Sequence, residues 1–328
     1  MRYLAILLLL TACAGAADEG TSPDARSDTA PEAMLADAPT PDAPPAEASV
    51  EAAPELPARP EPVRFAVISD THLTANRFAT PNVHLRDLGL VLAALTPRPE
   101  HVFATGDDLE DLMCSPDMLV AKGGSLLLDV YRAAVDEAFA ANDLPFHLAL
   151  GNHDVRFFDT FHPEVDTLTP WLTTMDGSGA FPAPWYVVEE RGVAFVVLDS
   201  RGGATTYDEN DAGTLGDAQL AWLGQQLDRG LPSVLFWHHD TFAPLATGTG
   251  LEPAWAVIEA HPGVVRALFV GHGHYYLKAE RAGVTLVETV DLKSGVAPGY
   301  VLAEIDPSTG AVTLLNDADI PWGTLGTP

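Results

Sequence analysis

Five short stretches of the chain set metal-competent side chains side by side: Asp70-Thr71-His72, Gly106-Asp107-Asp108, Gly151-Asn152-His153-Asp154, His238-His239-Asp240 and Gly271-His272-Gly273-His274. Together they offer carboxylate, imidazole and amide donors. Imidazole suits Zn, Fe, Cu and Ni, whereas carboxylate and amide oxygens favour harder ions such as Mn or Mg. The candidates Asp70, His72, Asp107, Asn152, His238, His272 and His274 are too many for one tetrahedral ion. They suffice for two ions that share a bridging carboxylate. Such a pair, about 3.5–4 Å apart, activates a bridging hydroxide and clamps the free oxygens of a phosphate. Taken singly, each stretch has a plain reading. Asp-x-His is common by accident, Gly-Asp-Asp is usually a turn, and a His pair is usually buried or capping. Their recurrence carries the argument, because each follows the same kind of apolar run.

Those runs are "VRFAVIS" before Asp70, "HVFAT" before Gly106, "FHLAL" before Gly151, "SVLFW" before His238 and "VRALFV" before Gly271. Each has the length and β-branched or aromatic content of a strand buried on both faces. Between them, 86–97, 125–143 and 216–230 carry apolar residues at helical spacing. Ser125 suits an N-cap, and Pro97 and Gly230 suit helix ends. Strand alternating with helix predicts an α/β fold. Ligand sites in such sheets form beyond the carboxyl ends of the strands, where all five clusters fall. In extended backbone, residues i and i+2 point the same way. Asp70 and His72 are therefore expected to face one cavity, as are His272 and His274. Gly106, Gly151, Gly271 and Gly273 would let the backbone turn and approach the ions. The later runs within 284–316 read as further strands without ligand-type ends, expected to complete a second sheet. The stretch 155–183 reads as a long loop beside the third cluster. Arg77, His84, Arg86 and Arg156 are the basic side chains that could meet a phosphate there, although such residues on loops are more often solvated surface.

The chain has 328 residues and a formal net charge of −29, with 47% apolar residues. Residues 14–60 hold ten Asp or Glu, nine Pro, only Arg26 and Arg59 as bases, and almost no aliphatic bulk. Such a segment cannot bury enough to offset its chain entropy, so it reads as a disordered, extended tether. From 61 onward, 36 acidic and 14 basic residues leave the folded part near −22. A surface of that sign repels polyanions and argues against nucleic acid as the main partner. The only cysteines are Cys13 and Cys114, so a disulfide framework is absent.

The chain opens with Arg2 and the apolar run Leu4–Leu10, too short to span a bilayer and suited to a secretory signal. Leu10-Thr11-Ala12-Cys13 resembles the bacterial lipobox, which implies cleavage after residue 12 and lipidation at Cys13. More than one acyl chain gives stable attachment. Residue 14 is Ala rather than the Asp linked to inner-membrane retention, which favours the outer membrane. The expected organisation is a signal peptide (1–12), a lipid-anchored acidic linker (13–60) and one folded domain (61–328), exported and anchored on the periplasmic or surface face.

The ordered set Asp70-x-His72, Gly106-Asp107-x-x-Glu110, Gly151-Asn152-His153-Asp154, His238 and Gly271-His272-x-His274 resembles the calcineurin-like metallophosphoesterase superfamily, over about 63–317. The resemblance implies a four-layer αββα sandwich with two mixed sheets, and hydrolysis of a small phosphodiester or phosphomonoester by a hydroxide bridging two ions. Fe, Mn and Zn all suit the ligand set. Asp70, His72 and His274 would bind the first ion. Asn152, His238 and His272 would bind the second, with His239 as second choice to His238. Asp107 would bridge them. His153 would stabilise the phosphoryl group or protonate the leaving oxygen, and Asp154 would orient His153. Glu110 stands where purple acid phosphatases place a Tyr, which argues against an Fe(III)–tyrosinate centre. Asp240-Thr241-Phe242 replaces the prolines that follow this motif in many cyclic-nucleotide and glycerophosphodiester members. The rival reading is a membrane-tethered, metal-containing binding protein without turnover, which loss of His153 or Asp107 would have favoured; both are present. Oligomeric state is not indicated.

Overall fold

In this computed structural model the described residues are 60–74, 79–110, 126–156, 166–175, 180–202, 213–240, 242, 250–293, 299–316 and 318. The expectations for the signal peptide, Cys13, the linker, Arg77, Cys114 and Ser125 fall outside them. Among the described residues no helix is long and apolar enough to cross a membrane.

The five apolar runs are strands: β1 (Val63–Ile68), β2 (His101–Ala104), β3 (Phe146–Leu148), β6 (Ser233–Phe236) and β7 (Val265–Val270). Their companions are β4 (Tyr186–Glu190), β5 (Val193–Val197), β8 (Leu277–Arg281), β9 (Val284–Glu288), β10 (Val301–Ile305) and β11 (Val312–Leu314). They form two mixed sheets, ordered β11-β10-β1-β2-β3 and β4-β5-β6-β7-β9-β8. The strands that lead into the clusters run parallel to their cluster-bearing neighbours, and the antiparallel strands sit toward the edges. All five clusters therefore emerge at one end. The expectation that the strands of 284–316 complete one second sheet holds only for β9. The β10–β11 hairpin instead pairs β10 with β1 in the first sheet.

The helices are α1 (Thr80–Ala94), α2 (Leu126–Ala138), α3 (Leu168–Thr174), α4 (Asp217–Leu227) and α5 (Glu252–Glu259). Helix α1 begins well before the predicted 86, because Pro81 sits in its first turn, where a missing N–H costs nothing. Helix α2 stops before 143. A 3-10 turn, Ala140–Asn142, follows it, and Asp143 closes that turn in the left-handed region at φ 53°. The 155–183 stretch is not wholly loop: α3 lies within it, with Trp171 fully buried.

Alternation along the second sheet divides its side chains between two cores. Phe195, Phe236 and Phe269 face the first sheet, where Phe236 stacks on Phe103 at 4.1 Å and Phe269 meets Phe65 edge-on at 5.6 Å. Their strand neighbours Val196, Leu235 and Leu268 pack instead with Leu223, Leu227, Trp255 and Ile258 of α4 and α5. On the first sheet, Leu85, Leu88, Leu92, Leu128, Tyr131 and Val135 of α1 and α2 complete the other core. The result is helix, sheet, sheet and helix in four layers. Near the cluster end the sheets meet through a bridge between Ser69 and Asp291.

Candidate metal centre

The loops leaving β1 and β2 are bonded to each other. Asp70 N donates to the Gly106 carbonyl (2.9 Å), His72 N to that of Asp107 (3.0 Å) and Leu73 N to that of Asp108 (2.8 Å). Asp70 and His72 do converge, but not as extended residues. Their φ angles are 50° and 46°, and those of Asp107, His272 and His274 are 53°, 74° and 63°. Non-glycine residues in this region cost roughly 1–3 kcal/mol each and persist only where their surroundings fix them. Gly106 turns the second loop at φ 104°, which only glycine adopts readily. Gly151 is needed for space, since a Cβ there would collide with the Asp107 carboxylate.

Asp70, His72 and His274 form one group of converging donor atoms. Asp70 is fully buried, and its Oδ2 accepts from Ser69 Oγ and from His272 N (3.0 Å). Its Oδ1 lies 3.1 Å from His274 Nε2 and 3.8 Å from His72 Nε2 without an aligned hydrogen bond to either. Burial pushes the His72 imidazole below its usual pKa, and the charges of Asp107 and Asp70 offset this only in part.

The second group is Asp107, His238 and His272, joined by Asn152, whose Oδ1 lies 3.0 Å from His238 Nε2 and 3.1 Å from His272 Nδ1. Asp107 Oδ2 is 3.2 Å from His238 Nε2, and its charge also acts on His72, so it stands between the groups. Burial works against ionising Asp107 and His238, yet their mutual attraction wins. It holds the Asp107 carboxyl well below its usual range and pushes His238 up to about 10. His238 Nδ1 donates to the Thr105 carbonyl at 3.0 Å, which fixes Nε2 inward. His239 turns away, with its Nδ1 2.7 Å from Ser200 Oγ, so of the two choices His238 takes the inward place.

His153 sits where the groups meet. Its N donates to Asp107 Oδ1 (2.7 Å), its ring lies 4.8 Å from that of His72, and its Nδ1 donates to the Glu110 carbonyl at 2.5 Å. Arg156 presses its guanidinium on the same ring, 2.7 Å from Nδ1 and 2.9 Å from Nε2. Asp154 does not orient the His153 ring, contrary to the sequence reading. Its carboxylate accepts from the backbone N–H groups of Asp107 (3.0 Å), Leu109 (2.9 Å) and Gly151 (2.7 Å). It thus clamps the second cluster to the third. Burial and the neighbouring Asp107 push it up to about 7.

Of the other basic candidates among the described residues, only Arg156 reaches the groups. Arg86 is exposed and pairs with Asp87 at 2.8 Å, while His84 Nδ1 donates to the Leu292 carbonyl at 3.0 Å. The sequence reading also missed acidic residues at the end of β9. Glu288 is fully buried and accepts from Gly273 N at 2.8 Å, and Asp291 Oδ2 lies 3.8 Å from His274 Nδ1. Their signal was "VETVD" following an apolar run, the same pattern as the five clusters but without histidine.

Two donor groups of carboxylate and imidazole, the first around a buried Asp70 oxygen lacking an aligned partner and the second joined by the Asn152 amide, fit cations of the Fe, Mn or Zn type. The family model described as calcineurin-like phosphoesterase matches residues 63–276. No curated protein matches the chain. Among solved structures, a dimetal phosphatase from Danio rerio is 17% identical, with TM-score 0.53 over 74% of this chain and 93% of that one. The GAP50 anchor of the inner membrane complex of Plasmodium is 12% identical, with TM-score 0.50 over 75% of this chain and 81% of that one.

Proposed function

Because the chain belongs to the calcineurin-like phosphoesterase family, we propose that it is a two-metal hydrolase of small phosphate esters. The observation that carries this reading is the pair of donor groups on either side of Asp107, with His153 at their junction. Asp70, His72 and His274 would hold one ion, Asn152, His238 and His272 the other, and Asp107 both. Bound there, the ions supply an activated water and positive charge for the phosphoryl oxygens. The residues of the chain do the rest. As an imidazolium whose Nδ1 donates to the Glu110 carbonyl, His153 would present an Nε2–H to stabilise or protonate the departing oxygen. Arg156 adds positive charge beside that ring. Asp154 keeps the Asp107 and Gly151 loops in register.

The acidic balance of residues from 61 onward favours a small substrate over a long polyanion. Cleavage after residue 12, lipidation at Cys13 and a tether to residue 60 would place the domain outside the cytoplasm at the outer membrane. Cys13→Ala is then expected to release the protein from the membrane fraction. The activity is tested by assaying Mn-loaded protein on p-nitrophenyl phosphate beside bis(p-nitrophenyl) phosphate. Turnover of either that vanishes in Asp107→Asn supports the reading, and the ratio of rates names the ester class. Absence of turnover from protein that carries two ions favours the tethered binder.

A further inference from the structure

The segment that follows β9 runs directly behind the first donor group. Leu292 N donates to the Ser69 carbonyl (3.0 Å) and Lys293 N to that of Asp70 (3.3 Å). Leu292 O accepts from His84 Nδ1 of α1 at 3.0 Å, so the strap is tied on both sides. Its two charged side chains flank the two imidazoles of the group. Asp291 Oδ2 lies 3.8 Å behind His274 Nδ1. Lys293 Nζ lies 3.0 Å from Glu110 Oε2, and that same oxygen is 3.3 Å from His72 Nδ1. In both rings Nε2 faces Asp70 and the opposite nitrogen lies near a carboxylate, at His72 without an aligned hydrogen bond.

At His238 the second group is backed differently. His238 Nδ1 meets a neutral carbonyl, that of Thr105. The amide of Asn152 stands where the first group has the carboxylate of Asp70. A carboxylate behind a ligating imidazole fixes its tautomer and ring angle and raises its basicity, effects typically worth about 10–100-fold in metal affinity.

We infer that Glu110, Asp291 and Lys293 are positioning residues that rank the two halves of the centre, making the Asp70–His72–His274 half the tighter. Asp291 sets His274, Glu110 sets His72, and Lys293 holds Glu110 in place. The inference rests on the two-metal reading above, yet it concerns affinity and not turnover.

The test is a titration of metal-free, full-length protein with Mn(II), followed by calorimetry and by the electron paramagnetic resonance signal of free Mn(II). Wild type is expected to show two unequal binding steps. Glu110→Gln and Asp291→Asn should each weaken the tighter step about tenfold or more and leave the weaker step unchanged. Asp291→Glu, which keeps the carboxylate, should recover part of the loss, and Lys293→Met should give a smaller loss in the same step. Melting in EDTA checks that each variant is folded. Equal weakening of both steps, weakening of only the weaker one, or no change overturns the ranking while the two-metal reading stands. Failure of wild-type protein to bind Mn(II), Fe(II) or Zn(II) overturns both.

Discussion

Histidine occupies two contrasting places in the two sheets. Inside the sandwich, His101 of β2 and His147 of β3 pair with each other at 3.0 Å, and His147 stacks on Phe103 at 4.8 Å. Burial pushes His147 down to about 3 and lowers His101 as well, so both are neutral core residues. At the carboxyl ends, His72, His238, His272 and His274 face Asp70 or Asp107 and lie on loops whose backbone is partly left-handed. The residue type is therefore no guide by itself. Interior histidines sit within apolar runs on relaxed strand backbone, and rim histidines sit after them, where backbone strain is concentrated.

The contrast predicts opposite phenotypes. His153→Ala should lower kcat by about 10²–10⁴, and Asp107→Asn should reduce turnover to background, each in a protein that still melts cooperatively. Phe103→Ala should show the reverse. It should cost about 3–5 kcal/mol by chemical denaturation, with unchanged metal content per folded molecule. If Asp107→Asn unfolds the chain as readily as Phe103→Ala, rim and interior are one cooperative core and the distinction fails.

Gly151→Ala probes the boundary between the regions, since its methyl group would meet the Asp107 carboxylate. A displacement of about 1 Å at a reacting centre costs roughly 10²-fold, so kcat per folded molecule should fall, and stability should fall too because the methyl also meets the Asp107 backbone N. A fully active Gly151→Ala protein would mean that the position of Asp107 is not critical.

The smallest effect concerns pH. The folded-state pKa values of His101 and His147 are depressed below the free value of about 6.5. The stability they contribute is therefore complete above that pH and is lost as pH falls below it. In EDTA, the denaturation midpoint of wild type should drop between pH 7 and pH 5, and His147→Gln should flatten that slope. An unchanged slope would assign the protonation to other groups.

Much of this was legible in the sequence because parallel strands buried on both faces read as continuous apolar runs, and polar residues after them stand out. The five cluster positions and the convergence of Asp70 with His72 follow from that pattern, whereas His272 and His274 fall in different donor groups. The mechanism of convergence does not. Alternation along a strand predicts extended residues, whereas loop-to-loop hydrogen bonds hold Asp70 and His72 in the left-handed region. Asp154 was misread because its partners are backbone N–H groups from 107 and 109, which leave no trace in sequence. Asp291 and Glu288 were passed over because a carboxylate after a strand is ordinary surface until the sheets are packed against each other. Helix α1 began early because its first turn is secured by Pro81 and not by a side-chain cap.

The most direct measurement is anomalous diffraction from crystals of the protein soaked in Mn(II). The account predicts two peaks, one enclosed by Asp70, His72 and His274 and the other by Asn152, His238 and His272, with the Asp107 carboxylate touching both. A single peak, or ions bound away from Asp107, would contradict it.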